Sequence, residues 1–427
     1  MSPRRRSGGL LFRTAMLRNR FPESPPASLC SSKPTGRRSS QHPAGQAYGF
    51  SYLYNRAGAL TSATYPSGRT VMNGYDTAGR LCSVSGATGT PPAGPYPCTV
   101  TGTSQITAYA NAVAYTPQGS LQSIARGDGL AETWGYNNRL QATSVTVGSV
   151  GAAFGMNLYY CPGHAAACTS NNGNVSGITL ATPGVDQNFA YDHLNRLTSI
   201  QEGANTQAYD YDNRGNRWWT QDAGLPLSSF VPGSAGGYND RNQLMMASAQ
   251  YADRGNQTAI GVYTFAHDGE SRMATGTVNG AATTYWYDGD GRRVQKQNAS
   301  GTITYVYDAT GNLAAEYGVT VPAPCTTCYV SVDHLGSTRA LTDAQGNVKE
   351  RHDYMPFGDE LFAGAGTRTT AQGYPSAPAA ETLNPLFTGK ERDAETGAGF
   401  FWSSVYERGA GTMGQSRPGQ SHRRSYP

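Results

Sequence analysis

A Tyr-Asp pair followed by a glycine-centred turn recurs along most of this chain. Clean copies are Tyr75-Asp76-Thr77-Ala78-Gly79, Tyr191-Asp192-His193-Leu194-Asn195, Tyr211-Asp212-Asn213-Arg214-Gly215, Tyr287-Asp288-Gly289-Asp290-Gly291 and Tyr307-Asp308-Ala309-Thr310-Gly311. Weaker copies start at Tyr54, Tyr136, Tyr251 and Phe265, the last running through His267-Asp268-Gly269. Tyr191 to Tyr211 and Tyr287 to Tyr307 each span 20 residues. That period is too short for a helix–turn–helix repeat and long enough for two short strands with two turns. The chain is therefore read as an array of hairpins.

Each part of the motif has a physical task. Aromatics stand two apart at Tyr52/Tyr54, Tyr209/Tyr211, Tyr263/Phe265, Tyr285/Tyr287 and Tyr305/Tyr307. In a strand, such pairs share one face and form an aromatic stripe. The Asp can fold its carboxylate onto the amides of the coming turn. The Gly supplies the left-handed backbone that closes the loop. A lone hairpin is not stable in water, so neighbouring copies must pair edge to edge. Each cross-strand aromatic pair then adds roughly 0.2–1 kcal/mol. The fold class expected is all-β: repeated antiparallel hairpins forming a curved or spiralling wall.

Composition fits a thin wall. The chain has 53 Gly and 27 Tyr, and hydrophobic residues make up 38%, below the globular norm. One face packs partly, and tyrosine hydroxyls are expected to stay near water. The net charge of +4 comes from the ends. Residues 1–40 hold nine Lys or Arg against the single acid Glu23, so the array itself is acidic. This argues against a nucleic-acid partner, which needs a basic stripe on a folded face. No segment is long and apolar enough to span a membrane.

Six of the seven cysteines fall as near neighbours: Cys82 with Cys98, Cys161 with Cys168, Cys325 with Cys328. Two readings stand open: three local disulfides, implying an oxidising destination, or six partly buried thiols. A lone CxxC at Cys325–Cys328 is a weak zinc or redox signal. Cys30 lies in the basic N-terminal stretch.

The repeats resemble the RHS/YD-repeat family, which includes bacterial RHS polymorphic toxins, shell components of insecticidal toxin complexes, and teneurins. The last third carries the most specific motifs. Asp333-His334-Leu335-Gly336-Ser337-Thr338-Arg339 is similar to the family's core signature. It continues into Leu341-Thr342-Asp343-Ala344-Gln345-Gly346-Asn347, Asp353-Tyr354-Met355-Pro356-Phe357-Gly358 and Phe387-Thr388-Gly389-Lys390-Glu391-Arg392-Asp393. The resemblance covers roughly residues 48 to 400 and breaks at Ser403. There the aspartate-bearing motif with which relatives release their C-terminal cargo is not matched, and no toxin-sized segment follows.

This gives four expected regions: a disordered basic segment 1–45, the hairpin array 46–320, the RHS-associated core 321–402, and a degenerate disordered tail 403–427. The resemblance implies a non-catalytic scaffold that encloses and delivers a C-terminal toxin, with a cargo or further RHS segments in trans as partners. It also implies a secreted or cell-surface location. A cell-surface or carbohydrate-binding module is the alternative, with Trp218, Trp219 and Trp286 as glycan-stacking candidates. A non-functional fragment of an RHS gene is the second alternative. No cofactor or metal is expected. Asp333, His334 and Ser337 invite a hydrolase reading, but a capped hairpin turn explains them more simply, because a triad is defined by geometry. Asp393 closes the cluster Lys390-Glu391-Arg392-Asp393 and Glu395 follows two residues later, read together as a charged turn.

Overall fold

The computed structural model describes residues 47–393 apart from 150–151, 226–229, 247, 309–310, 319–323 and 378–384. It also gives the backbone of Arg20–Phe21, Arg37–Gln41, Gly399–Phe401, Ser404–Glu407 and Thr412–Met413. Among the described residues there are strands and short 3-10 turns and no α-helix, and no helix long and apolar enough to cross a membrane.

Two long sheets carry the repeats. A 15-stranded sheet runs in strict sequence order from Arg37–Gln41 to Arg217–Ala223, every neighbour antiparallel. A nine-stranded sheet runs from Gln250–Tyr251 to Leu313–Tyr317 and takes Arg20–Phe21 as a parallel edge strand against Glu316 and Tyr317. The basic N-terminal stretch thus places two short strands on sheet edges, whose unpaired backbone groups accept any extended segment. Smaller sheets follow, including Tyr329–Val332, Thr338–Thr342 and Val348–Arg351. Ser404–Glu407 and Thr412–Met413 belong to a four-stranded sheet. The rest of 1–45 and of 403–427, Cys30 included, lies outside the described residues.

The turn chemistry repeats unit by unit. Asp76 Oδ1 accepts the amides of Ala78 at 2.9 Å and Arg80 at 2.8 Å. Gly79 holds φ +75° and donates its amide to the Asp76 carbonyl. The register shifts between Gly74 and Tyr75, so the turn ends in a bulge that suits this loop. Asp212, Asp288 and Asp343 repeat the arrangement with Gly215, Gly291 and Gly346. The left-handed residue stands three after the cap in each of these copies. In the copy at Asp268 it is therefore Ser271 (φ +63°), not Gly269.

Four motif tyrosines turn their hydroxyls back onto the wall and not to water. Tyr75 donates to the Leu60 carbonyl at 2.8 Å, Tyr211 to Leu197 at 2.6 Å, Tyr287 to Met273 at 2.7 Å and Tyr307 to Arg293 at 2.8 Å. Each acceptor opens the return strand of the preceding unit, so the hydroxyl ties one repeat to the one before it. Arginines add a second tie. Arg80, Arg196 and Arg272 each bond the Asp of their own turn through Nε and lie 5.1, 4.6 and 5.1 Å from the rings of Tyr115, Tyr211 and Tyr287.

The array bends round on itself. Roughly 20 strand spacings of about 4.8 Å separate its first and last strands, nearly 100 Å if laid flat. Yet the rings of Tyr48 and Tyr317 stack 5.1 Å apart. Tyr48, Phe50, Tyr52 and Ala63 share one buried cluster with Val306, Ala315 and Tyr317.

Candidate functional site

The core segment from Tyr329 to Asp393 lies against the face that both long sheets bury. Its attachment is ionic and buried. Arg368, 1% exposed, grips Glu202 of the wall strand Leu197–Glu202 with two bonds of 2.7 and 2.9 Å, and bonds Asp353 at 2.7 Å. Arg293 of the strand Arg293–Asn298 is fully buried and meets both oxygens of Asp393, at 2.5 and 2.9 Å. Arg126 of the strand Leu121–Arg126 reaches Ser331 and Thr342, each at 2.8 Å. In the other direction, Arg351 donates to the carbonyls of Ala152 and Ala153. One segment of the chain thus holds wall strands that stand far apart in the array.

Burial and ion pairing together set the protonation of this layer. It raises Glu132 above the carboxylate norm, against the hydrogen bond from Trp134 and the charge of Arg126. Burial also disfavours charge on His352, but the bonds and charges of Glu350 and Glu360 outweigh it and carry the imidazole to about 9. Glu360 feels the same penalty. Its bond to His352 and the charge of Arg392 win, and hold it at about 2.

The cluster Lys390-Glu391-Arg392-Asp393 is not a solvated charged turn. Arg392 and Asp393 are 3% and 1% exposed; Arg392 bonds Glu360, and Glu391 accepts the Tyr305 hydroxyl at 2.6 Å. Its partners stand up to about a hundred residues away in sequence, which conceals the pairing. Glu395 lies outside the described residues. Asp333 and Ser337 form no relay with His334. Asp333 Oδ1 caps the turn through the amides of Leu335 and Ser337, and the Ser337 hydroxyl accepts the Thr388 amide at 3.0 Å.

Three disulfides join Cys82 to Cys98, Cys161 to Cys168 and Cys325 to Cys328, with Cα atoms 4.9, 5.8 and 5.4 Å apart. The first pins the loop between two wall strands. The last sits directly before the core strand Tyr329–Val332. Among the described residues no group of three His, Cys, Asp or Glu side chains could hold a metal. The three tryptophans do not share a face. Trp219 packs into the buried cluster of Ile200, Tyr209, Met355 and Leu361. Trp218, its strand neighbour, points the other way. Trp286 follows the buried Tyr285 on its strand and so takes the opposite face, half-buried.

Some repeats escape a search for Tyr-Asp, as at Tyr115-Thr116, where Tyr115 donates to the Leu81 carbonyl at 2.7 Å and Gly119 holds φ +89°. Tyr238-Asn239-Asp240-Arg241-Asn242 stands between the two sheets. Asn239 Oδ1 caps Arg241 and Gln243, Asn242 holds φ +59°, and Tyr238 donates to the Arg217 carbonyl at 2.8 Å. Asn does the work of both Asp and Gly, which was the signal available in the sequence. A cavity of 540 Å³ opens between the wall and the core, lined by Phe189, Tyr211, His334, Tyr354 and Phe357 among others.

The RHS Repeat family model matches residues 54–91. No curated protein matches the sequence. Solved structures do. The TcdB2-TccC3-Cdc42 crystal structure aligns at a TM-score of 0.61 with 16% identity, over 88% of this chain and 21% of that one. TcdB2-TccC3 alone gives 0.60 and 16%, over 87% and 21%. A Photorhabdus luminescens Tc holotoxin pore carrying a TccC3 mutation gives 0.61 and 17%, over 87% and 20%. The chain therefore spans about a fifth of the chains it matches.

Proposed function

We propose that this chain, an RHS-repeat protein with the fold of the TcdB2-TccC3 shell, is a non-catalytic wall segment that covers a polypeptide passenger outside the cell that makes it. The observation that carries this reading is the closure of the wall. Strands at the two ends of the array meet at Tyr48 and Tyr317, and the core segment locks the buried face through Arg368, Arg293 and Arg126. A passenger held against such a face is kept from solvent and from proteases until the wall opens. The partner is a polypeptide cargo, or further shell segments that complete the enclosure.

The test fuses an unstructured, protease-sensitive peptide to the C-terminus and follows its digestion by trypsin. Enclosure predicts survival at least tenfold longer than the free peptide, with the gain lost in Arg368→Met. Equal digestion of fused and free peptide rejects the reading. The placement of Trp218 and Trp286 on the face opposite the buried one favours a second reading, a module that holds surface glycans. Glycan binding abolished by Trp218→Ala would support it.

A further inference from the structure

The cavity between wall and core holds hydrogen-bonding groups that the protein does not use. The Tyr354 hydroxyl, His334 Nδ1 and Arg339 Nε are buried and have no hydrogen-bond partner among the described residues. All three side chains line the 540 Å³ space. Tyr354 and Arg339 are 6% and 7% exposed, so bulk water does not reach them freely. A buried donor without an acceptor costs about 1–3 kcal/mol, so a ligand that brings an acceptor recovers that cost.

The surroundings define the ligand. Acids nearby are already engaged: Asp333 caps its turn, and Asp353 is held by Arg368, Arg339 and Tyr374. The lining carries Arg196, Arg217 and Arg339 against one carboxylate, Asp333; Arg196 also bonds Asp192, and Arg339 bonds Asp353. The rest is apolar or aromatic, with Phe189, Leu197, Met355 and Phe387 prominent. Burial keeps the His334 ring neutral, so its Nδ1 can carry a proton toward an acceptor. The volume falls within the span of small-molecule sites.

We infer that this cavity binds an amphipathic monocarboxylate, its apolar body against the aromatic wall and its carboxylate on Tyr354, His334 and Arg339. This assignment stands apart from the shell reading, and its failure leaves that reading untouched.

The probe is undecanoate carrying a dansyl fluorophore, titrated against the full chain. A saturable, blue-shifted emission is expected, displaced by decanoate and at least tenfold more weakly by its methyl ester. Tyr354→Phe removes one charge-assisted bond and weakens binding roughly tenfold. Leu335→Trp, at a rim position 56% exposed, obstructs the entrance without touching the fold. Circular dichroism checks each variant, and Leu335→Trp decides the matter where Tyr354→Phe does not fold. Absence of saturable binding, binding indifferent to Leu335→Trp, or equal competition by acid and ester each overturn the inference.

Discussion

Arg368→Met is the most informative single perturbation. The substitution keeps a long apolar side chain but deletes three charge-assisted bonds, two to Glu202 and one to Asp353. Both carboxylates stay buried. Asp353 retains Arg339 at 3.0 Å and the Tyr374 hydroxyl at 2.9 Å. Among the described residues Glu202 retains the side-chain amide of Gln187 at 2.8 Å and no cation, and so becomes an unpaired buried charge. Breaking a buried pair in this way costs about 3–5 kcal/mol. Glu202→Gln is milder at about 1.5–3 kcal/mol, because Arg368 keeps Asp353. The double variant Arg368→Met/Glu202→Met removes the orphaned charge and should recover most of the loss. Hydrogen exchange of the core strands Thr338–Thr342 and Val348–Arg351 reads the opening free energy directly. The reasoning fails if Arg368→Met lies within about 0.5 kcal/mol of the parent, a surface-like effect. It fails equally if the double variant is no better than the single one.

Other outcomes follow from the repeat unit. Leu140 stands at φ +63° in a turn where most copies have Gly, and its side chain is 53% exposed, so Leu140→Gly should stabilise by about 1 kcal/mol in thermal unfolding. Tyr211→Phe should cost about 1 kcal/mol by losing its tie to Leu197, measured as faster exchange in that strand. Burial lifts Tyr191, Tyr211 and Tyr287 to about 12, with the charge of Arg293 opposing the rise at Tyr287. These phenols bind their protons more tightly folded than unfolded, so their contribution is complete below about pH 10 and is lost as pH climbs from there through about 12. Phenolate absorbance followed alongside unfolding checks the order of events. Alkylation of the unfolded, unreduced chain should label Cys30 alone and spare the six cysteines bonded as Cys82–Cys98, Cys161–Cys168 and Cys325–Cys328. Labelling at any of those six refutes the bridges.

The hairpin array was legible because its determinants are local. A carboxylate two to four residues from the amides it caps, and aromatics two apart on a strand, can be read within a window of a few residues. The reading faltered where a substitute performed the same task. Asn239 and Asn242 replace Asp and Gly, and Ser271 takes the left-handed backbone that Gly269 seemed to own. It failed at the core, where Lys390-Glu391-Arg392-Asp393 reads locally as a charged turn. Their partners Glu360 and Arg293 are set by docking, and nothing in the adjacent sequence announces them. The fate of the tyrosine hydroxyls was hidden for a related reason. Each acceptor is a backbone carbonyl in the previous unit, and a carbonyl has no residue type to recognise.

Those backward-reaching hydroxyls give the chain a direction. Each of these hydroxyls is met by a carbonyl already laid down before it, so this tie can form as a polypeptide arrives amino-terminus first. The closing segment obeys the opposite rule. Its anchors at Arg126, Glu202 and Arg293 are scattered along the whole array, and it can seat itself only once all of them are in place. The last part to arrive therefore inspects everything built earlier.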